Sequence, residues 1–125
     1  MKFSMSRQYN REPLFPEVVT EGLEYFELQD IFDNPDTIWL VEAIYINTKG
    51  LYEDRPVLVV SGIDGREFRG YVNLPSHLTK TCQAILEDRN AVEAIKNGNV
   101  GFTIYTYAAR NYNNKLCYSI RWVDI

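Results

Sequence analysis

Apolar residues alternate with polar ones along some stretches of this chain and crowd into unbroken runs along others, and both are strand patterns. From Val100 to Ala108 and from Leu116 to Ile125, β-branched and aromatic residues dominate. The Asn-rich segment Ala109 to Lys115 separates them, which predicts a long β-hairpin. Thr103, Tyr105 and Tyr107 then share one face of its first strand, and Phe102, Ile104 and Thr106 the other. Upstream, Thr37 to Asn47 is apolar on both faces except at Glu42, as expected of a long first strand that bends and serves two parts of a curved sheet. Pro56 to Gly62 reads as a second strand, with proline tolerated at its start. The Asp64-Gly65 pair turns the chain into a third strand, Glu67 to Leu74, with Phe68, Val72 and Leu74 on one face and Gly70 marking a bend.

The period changes after Pro75. Leu78, Cys82, Ile85 and Leu86 form one helical stripe, with Ser76 expected as its N-cap. Asn90 and Glu93 have capping-box spacing for a second short helix, Ala91 to Lys96, which Asn97-Gly98 should end in a left-handed cap. Ahead of the first strand, Gly22 to Ile31 fits a short amphipathic strand or a helical turn, and Asn34-Pro35-Asp36 fits a turn. Residues 1–20 have no sustained period and read as an N-terminal arm, held at most through Leu14, Phe15 and Val18. Residues 21–125 are then a single domain. The expected order, β-β-β-α-β-β with a long curved first strand, is that of a five-stranded OB barrel, mainly β with some α content; an open α+β sheet is the other reading.

Charge alters this picture in one respect. The net charge is −4, yet residues 12–36 carry eight acids and no base, whereas residues 37–125 carry ten bases and nine acids. The acidity therefore belongs to one segment, and it does not exclude a nucleic-acid partner for the rest. Between Glu93 and Asp124 every charged residue is a base: Lys96, Arg110, Lys115 and Arg121. Cations interleaved with aromatics suit a flexible nucleic-acid strand.

In element order and loop content the chain from Thr37 to Ile125 resembles the small OB-fold single-stranded DNA-binding proteins of phages and mobile elements. It lacks the Gly- and Pro-rich linker and acidic tail of their cellular counterparts. The resemblance implies binding through the loop between strands one and two, with Lys49, Tyr52 and nearby Arg55, and the loop between strands four and five, with Arg110, Tyr112 and Lys115. Arg69, Tyr71 and Arg121 join this set from the strands. For Arg69 and Arg121, cross-strand pairing with Glu67 or Glu42 is the alternative to phosphate contact. Tyr105 and Tyr107 are either a stacking platform for bases or rings that cap the core with their hydroxyls in water. Trp39 and Trp122 are assigned to the core.

Catalysis has little to stand on. No phosphate-binding loop, zinc-protease motif or calcium loop is present, and the acids at Asp30, Asp33 and Asp36 fit turn capping better than metal binding. His77, the single histidine, has no second histidine to join it and no serine or cysteine paired with it as nucleophile and base. Cys82 and Cys117 lack metal-ligand spacing and are expected as reduced, buried thiols of a cytoplasmic protein. No apolar run approaches the ~18–20 residues of a membrane span, and no secretory leader opens the chain. The sequence thus points to single-stranded nucleic-acid binding with no enzyme activity, cofactor, metal or membrane. A homo-oligomer stays open. The alternative is an adaptor or inhibitor of mobile-element origin whose acidic residues 12–36 engage a protein partner.

Overall fold

A computed structural model describes residues 15, 18–47, 55–63, 65–110 and 113–125. In chain order the elements are β1 (Tyr25–Glu27), α1 (Leu28–Ile31), β2 (Trp39–Asn47), β3 (Arg55–Gly62), β4 (Arg69–Asn73), a 3-10 turn (Ser76–Leu78), α2 (Thr79–Glu87), α3 (Arg89–Lys96), β5 (Val100–Ala109) and β6 (Lys115–Asp124). One sheet takes all the strands, in the order β1-β4-β3-β2-β5-β6, and curls into a half-barrel. Among the described residues it has six strands, not five.

The additional strand comes from the stretch that fits both a strand and a helical turn. Tyr25–Glu27 pairs parallel with β4, and Leu28–Ile31 turns at once into helix. Glu27 and Asp30 make the transition abrupt by forming a capping box. Because β1 occupies the outer edge of β4, β4 and β6 do not pair, and the sheet stays open where an OB barrel would close.

β3 lies in the middle of the sheet, and Val57 to Val60 are buried on both faces, as their unbroken apolar run requires. β2 starts at Trp39 and carries a bulge between Val41 and Ala43, which shifts its register against β3 and places the bend at Glu42. α2 and α3 lie against β2. Their apolar residues meet Val41, Ile44, Leu58, Val72, Leu74, Phe102 and Ile104 in one core cluster. Burial of each such side chain contributes ~1.5–3 kcal/mol relative to exposure. Phe15 also belongs to this core and stands edge-on to Tyr45, so the arm is anchored at Phe15 and Val18, while Leu14 lies outside the described residues.

Two cap assignments change. Ser76 does not cap a helix: it sits inside the 3-10 turn, whose N-terminal flank is Pro75. The N-cap of α3 is Asp88 instead of Asn90; its carboxylate accepts from the backbone N–H of Asn90 and Ala91. At the other end the expected left-handed cap is present. Gly98 has φ +74°, its N–H donates to Ile95 O, and Asn99 N–H donates to Ala94 O, the paired bonds of a Schellman motif. Gly65 also has positive φ, +82°, while Asp64 lies outside the described residues. Among the described residues no helix is long and apolar enough to cross a membrane.

Candidate nucleic-acid interface

The β5–β6 ladder runs without interruption from Val100↔Asp124 to Ala109↔Lys115. β5 meets β2 only at Trp39↔Phe102 and Leu40↔Gly101. From Thr103 onward, therefore, the two strands of the hairpin pair only with each other. The Asn-rich segment supplies a turn there, with Asn113 and Asn114 at φ 54° and 59° and Asn114 N–H donating to Ala109 O. Asparagine enters the left-handed region at lower cost than most residues, which is why the strands break at this point.

The two faces of the hairpin differ as alternation predicts except at Ser119, which lies opposite Tyr105 and is buried against His77. Phe102, Ile104 and Ile120 are buried, and Tyr118 and Trp122 pack on the core beside them; Trp39, across the junction, is buried outright. On the opposite face the rings of Tyr105 and Tyr107 stand side by side, centroids 6.1 Å apart, Tyr105 half-buried and Tyr107 39% exposed. The Arg121 guanidinium lies over Tyr105, 4.9 Å from the ring centroid. Arg110 and Lys115 are exposed at the tip of the same hairpin. The structure thus brings together Tyr105, Tyr107, Arg110, Lys115 and Arg121. Among the described residues of the hairpin that face carries no acid; Glu27 of β1 stands across from it, lining the same cavity as Tyr107 and Lys115.

The other residues expected at the site stand elsewhere. β3 and β2 separate β4, with Arg69 and Tyr71, from the hairpin in sheet order. Arg69 is paired with Glu42, the alternative the sequence left open. Tyr71 stacks on Tyr25 at 4.6 Å and 18°. Arg55 donates from Nε to Leu74 O and from Nη2 to Glu27 Oε2, both at 3.0 Å. Lys49, Tyr52 and Tyr112 lie outside the described residues.

Several acids of the segment 12–36 have structural partners. Glu27 takes Arg55, Asp33 takes Arg66 at 3.1 Å, and Asp30 Oδ2 accepts the Glu27 N–H at 2.8 Å. Asn34 Oδ1 accepts from Asp36 N–H and closes the Asn-Pro-Asp turn. The acidic run therefore serves in part to fix β1, α1 and the turn into β2.

His77, expected to have no serine paired with it, does meet one. Its Nε2 lies 3.3 Å from Ser119 Oγ, a contact between residues 42 apart that no local spacing signals. Ser119 is only 2% exposed, and no carboxylate hydrogen-bonds the ring among the described residues, so neither an accessible nucleophile nor an orienting group is in place. The contact instead ties the turn after β4 to the edge of β6. Of the two free thiols, Cys82 is buried and its ionisation is pushed up to about 11 by desolvation. Cys117 is half-buried, contrary to expectation, because it sits in the part of the hairpin that leaves the core. Burial also pushes the Tyr45 hydroxyl above its ordinary value, reinforced by Tyr71. No group of three or more metal-ligating side chains occurs among the described residues.

Comparison of the chain with protein-family models, with curated proteins and with solved structures finds no match in any of the three.

Proposed function

We propose that this chain binds single-stranded nucleic acid, preferentially DNA, without catalysis, along the outward face of the β5–β6 hairpin. The observation that carries the reading is the arrangement of Tyr105, Tyr107 and Arg121: two neighbouring rings, one of them under a guanidinium, on a hairpin face with no acid among its described residues. Such rings support successive bases by stacking, at ~1–3 kcal/mol per base, and the cations follow the phosphates. The order of β2 to β6 adds support for an OB-like origin of the kind found in phages and mobile elements. Three strands form a meander, a helical insert follows, and the final hairpin returns to the first strand. A partner-binding role for acidic residues 12–36 has less support, since Glu27, Asp30 and Asp33 are engaged within the fold.

Fluorescence titration with oligothymidine at two salt concentrations tests the reading. Affinity should fall as salt rises, and Tyr107→Ala should weaken it by about tenfold, the equivalent of ~1.4 kcal/mol. Affinity weaker than about millimolar at low salt, or affinity indifferent to salt, would sink it.

A further inference from the structure

We infer that the cavity beside Tyr107 takes one nucleobase of the bound strand and gives this interface a base preference, an inference that rests on the nucleic-acid reading of the hairpin. β4 and β6 do not pair, and a cavity of about 420 Å³ lies in the seam between the hairpin on one side and β1, α1 and the end of β4 on the other. That volume falls in the range of ~300–1,000 Å³ usual for small-molecule sites. Both sides of the seam line it. Tyr107, Lys115 and Tyr118 come from the hairpin; Gln29, Asn73 and His77 come from α1, β4 and the turn after β4.

Tyr107 belongs both to the outward pair of tyrosines and to this lining, so a base that follows one stacked on Tyr105 and Tyr107 arrives at the mouth of the cavity. Rings alone do not discriminate, because every base has a π-face. Asparagine and glutamine amides do, because each presents donors and an acceptor to the edge of an unstacked base. Lys115 is exposed at the rim and supplies a cation for the phosphate beside a base turned inward. Glu27 also borders the cavity, and Arg55 at 3.0 Å offsets its charge.

The test is a titration of labelled oligonucleotides of thymine, of cytosine and of adenine against the wild-type chain, Tyr105→Ala, and the double variant Asn73→Ala with Gln29→Ala. The wild type should favour one base by about tenfold. The double variant should reduce that preference to about twofold. Tyr105→Ala should weaken all of them by a similar factor. Equal wild-type affinities, or a preference that survives in a natively folded double variant, would overturn the cavity assignment and leave the stacking platform in place. Absence of saturable binding to any oligonucleotide at low salt would overturn both. If the double variant loses its native circular dichroism, the side-chain amide signals of Asn73 in the wild-type chain decide. Their displacement by nucleoside monophosphates supports the inference, and their constancy overturns it.

Discussion

Arg69 grips Glu42 across the intervening strand β3, with Nε 2.8 Å from Oε2 and Nη2 3.3 Å from Oε1. The two side chains are 35% and 25% exposed, and Glu42 sits within the β2 bulge, so the pair fixes a point where the ladder itself is irregular. Solvent-accessible pairs contribute ~0.2–1 kcal/mol, and two-point geometry places this one toward the upper end. A double-mutant cycle with Arg69→Met and Glu42→Gln in urea should give a coupling of about 0.5–1 kcal/mol. Oligonucleotide affinity should change by no more than about twofold. A large loss of affinity without coupling would make Arg69 a ligand group after all.

At Gly70 the side of β4 is covered by Phe26 and Glu24. A Cβ there would stand 2.7 Å from Phe26 Cε2 and 3.1 Å from Glu24 O, so the ring and the strand behind it would both have to yield. Gly70→Ala should cost ~1–3 kcal/mol, read as a lower urea midpoint with unchanged slope. A neutral result would show that β1 docks loosely.

The cap of α3 separates two residues only two positions apart. Asp88→Ala removes an acceptor used by two backbone N–H groups and should cost ~1 kcal/mol; Asn90→Ala should cost much less. Thermal melts of the two variants compare them directly, and the reverse ranking would restore Asn90 as the cap.

The thiols should differ in reactivity. In the native chain Cys117 should react with a thiol reagent near pH 8 while Cys82 reacts only after denaturation, because Cys82 is fully buried and holds its proton to about 11. The same displacement sets a sign for stability. Cys82 ordinarily ionises near 9.0, so below that pH it is neutral folded or unfolded and its preference for the native core is fully available. As pH rises through 9.0 toward about 11 the unfolded chain ionises first, and stability falls. Tyr45, shifted in the same direction, should continue the loss at higher pH. Urea midpoints across this window should flatten in Cys82→Ala.

Residues read correctly from the sequence are those whose pattern is local. The hairpin appears in the alternation of Val100 to Ala108, and its faces follow, because a strand's period of two leaves no choice once Phe102 and Ile104 are inside. The Schellman end of α3 was legible in Asn97-Gly98, since few other residues accept a left-handed backbone. Its start was not. Asp88 and Asn90 are both good caps, and which one serves depends on where the first turn begins, which packing decides. Parallel pairing of β1 with β4 was hidden for a different reason: three residues carry no register signal of their own, and Tyr25 and Phe26 make sense only once Tyr71 and Phe68 lie beside them. Of the candidate site, the tyrosine pair and Arg121 were visible as a cationic, aromatic strand face. The partners of Arg55, Leu74 and Glu27, were hidden because both contacts are made across the fold.

The narrow junction between β2 and β5 also bears on the order in which the chain folds. β5 and β6 are neighbours in sequence, and a hairpin of this kind closes in ~1–10 μs. β2 must find β5 across β3, β4 and both later helices, and it does so through Trp39↔Phe102 and Leu40↔Gly101 alone. Long-range closure of that kind is the slow step of a β-rich chain. Substitution at Phe102, inside the junction, is therefore expected to retard refolding in stopped-flow experiments. A change at Tyr107, beyond it, should leave the refolding rate alone and hasten unfolding. The rate at which the whole sheet assembles then hangs on a patch of four residues, while the hairpin beyond it can vary in sequence with little effect on the speed of folding.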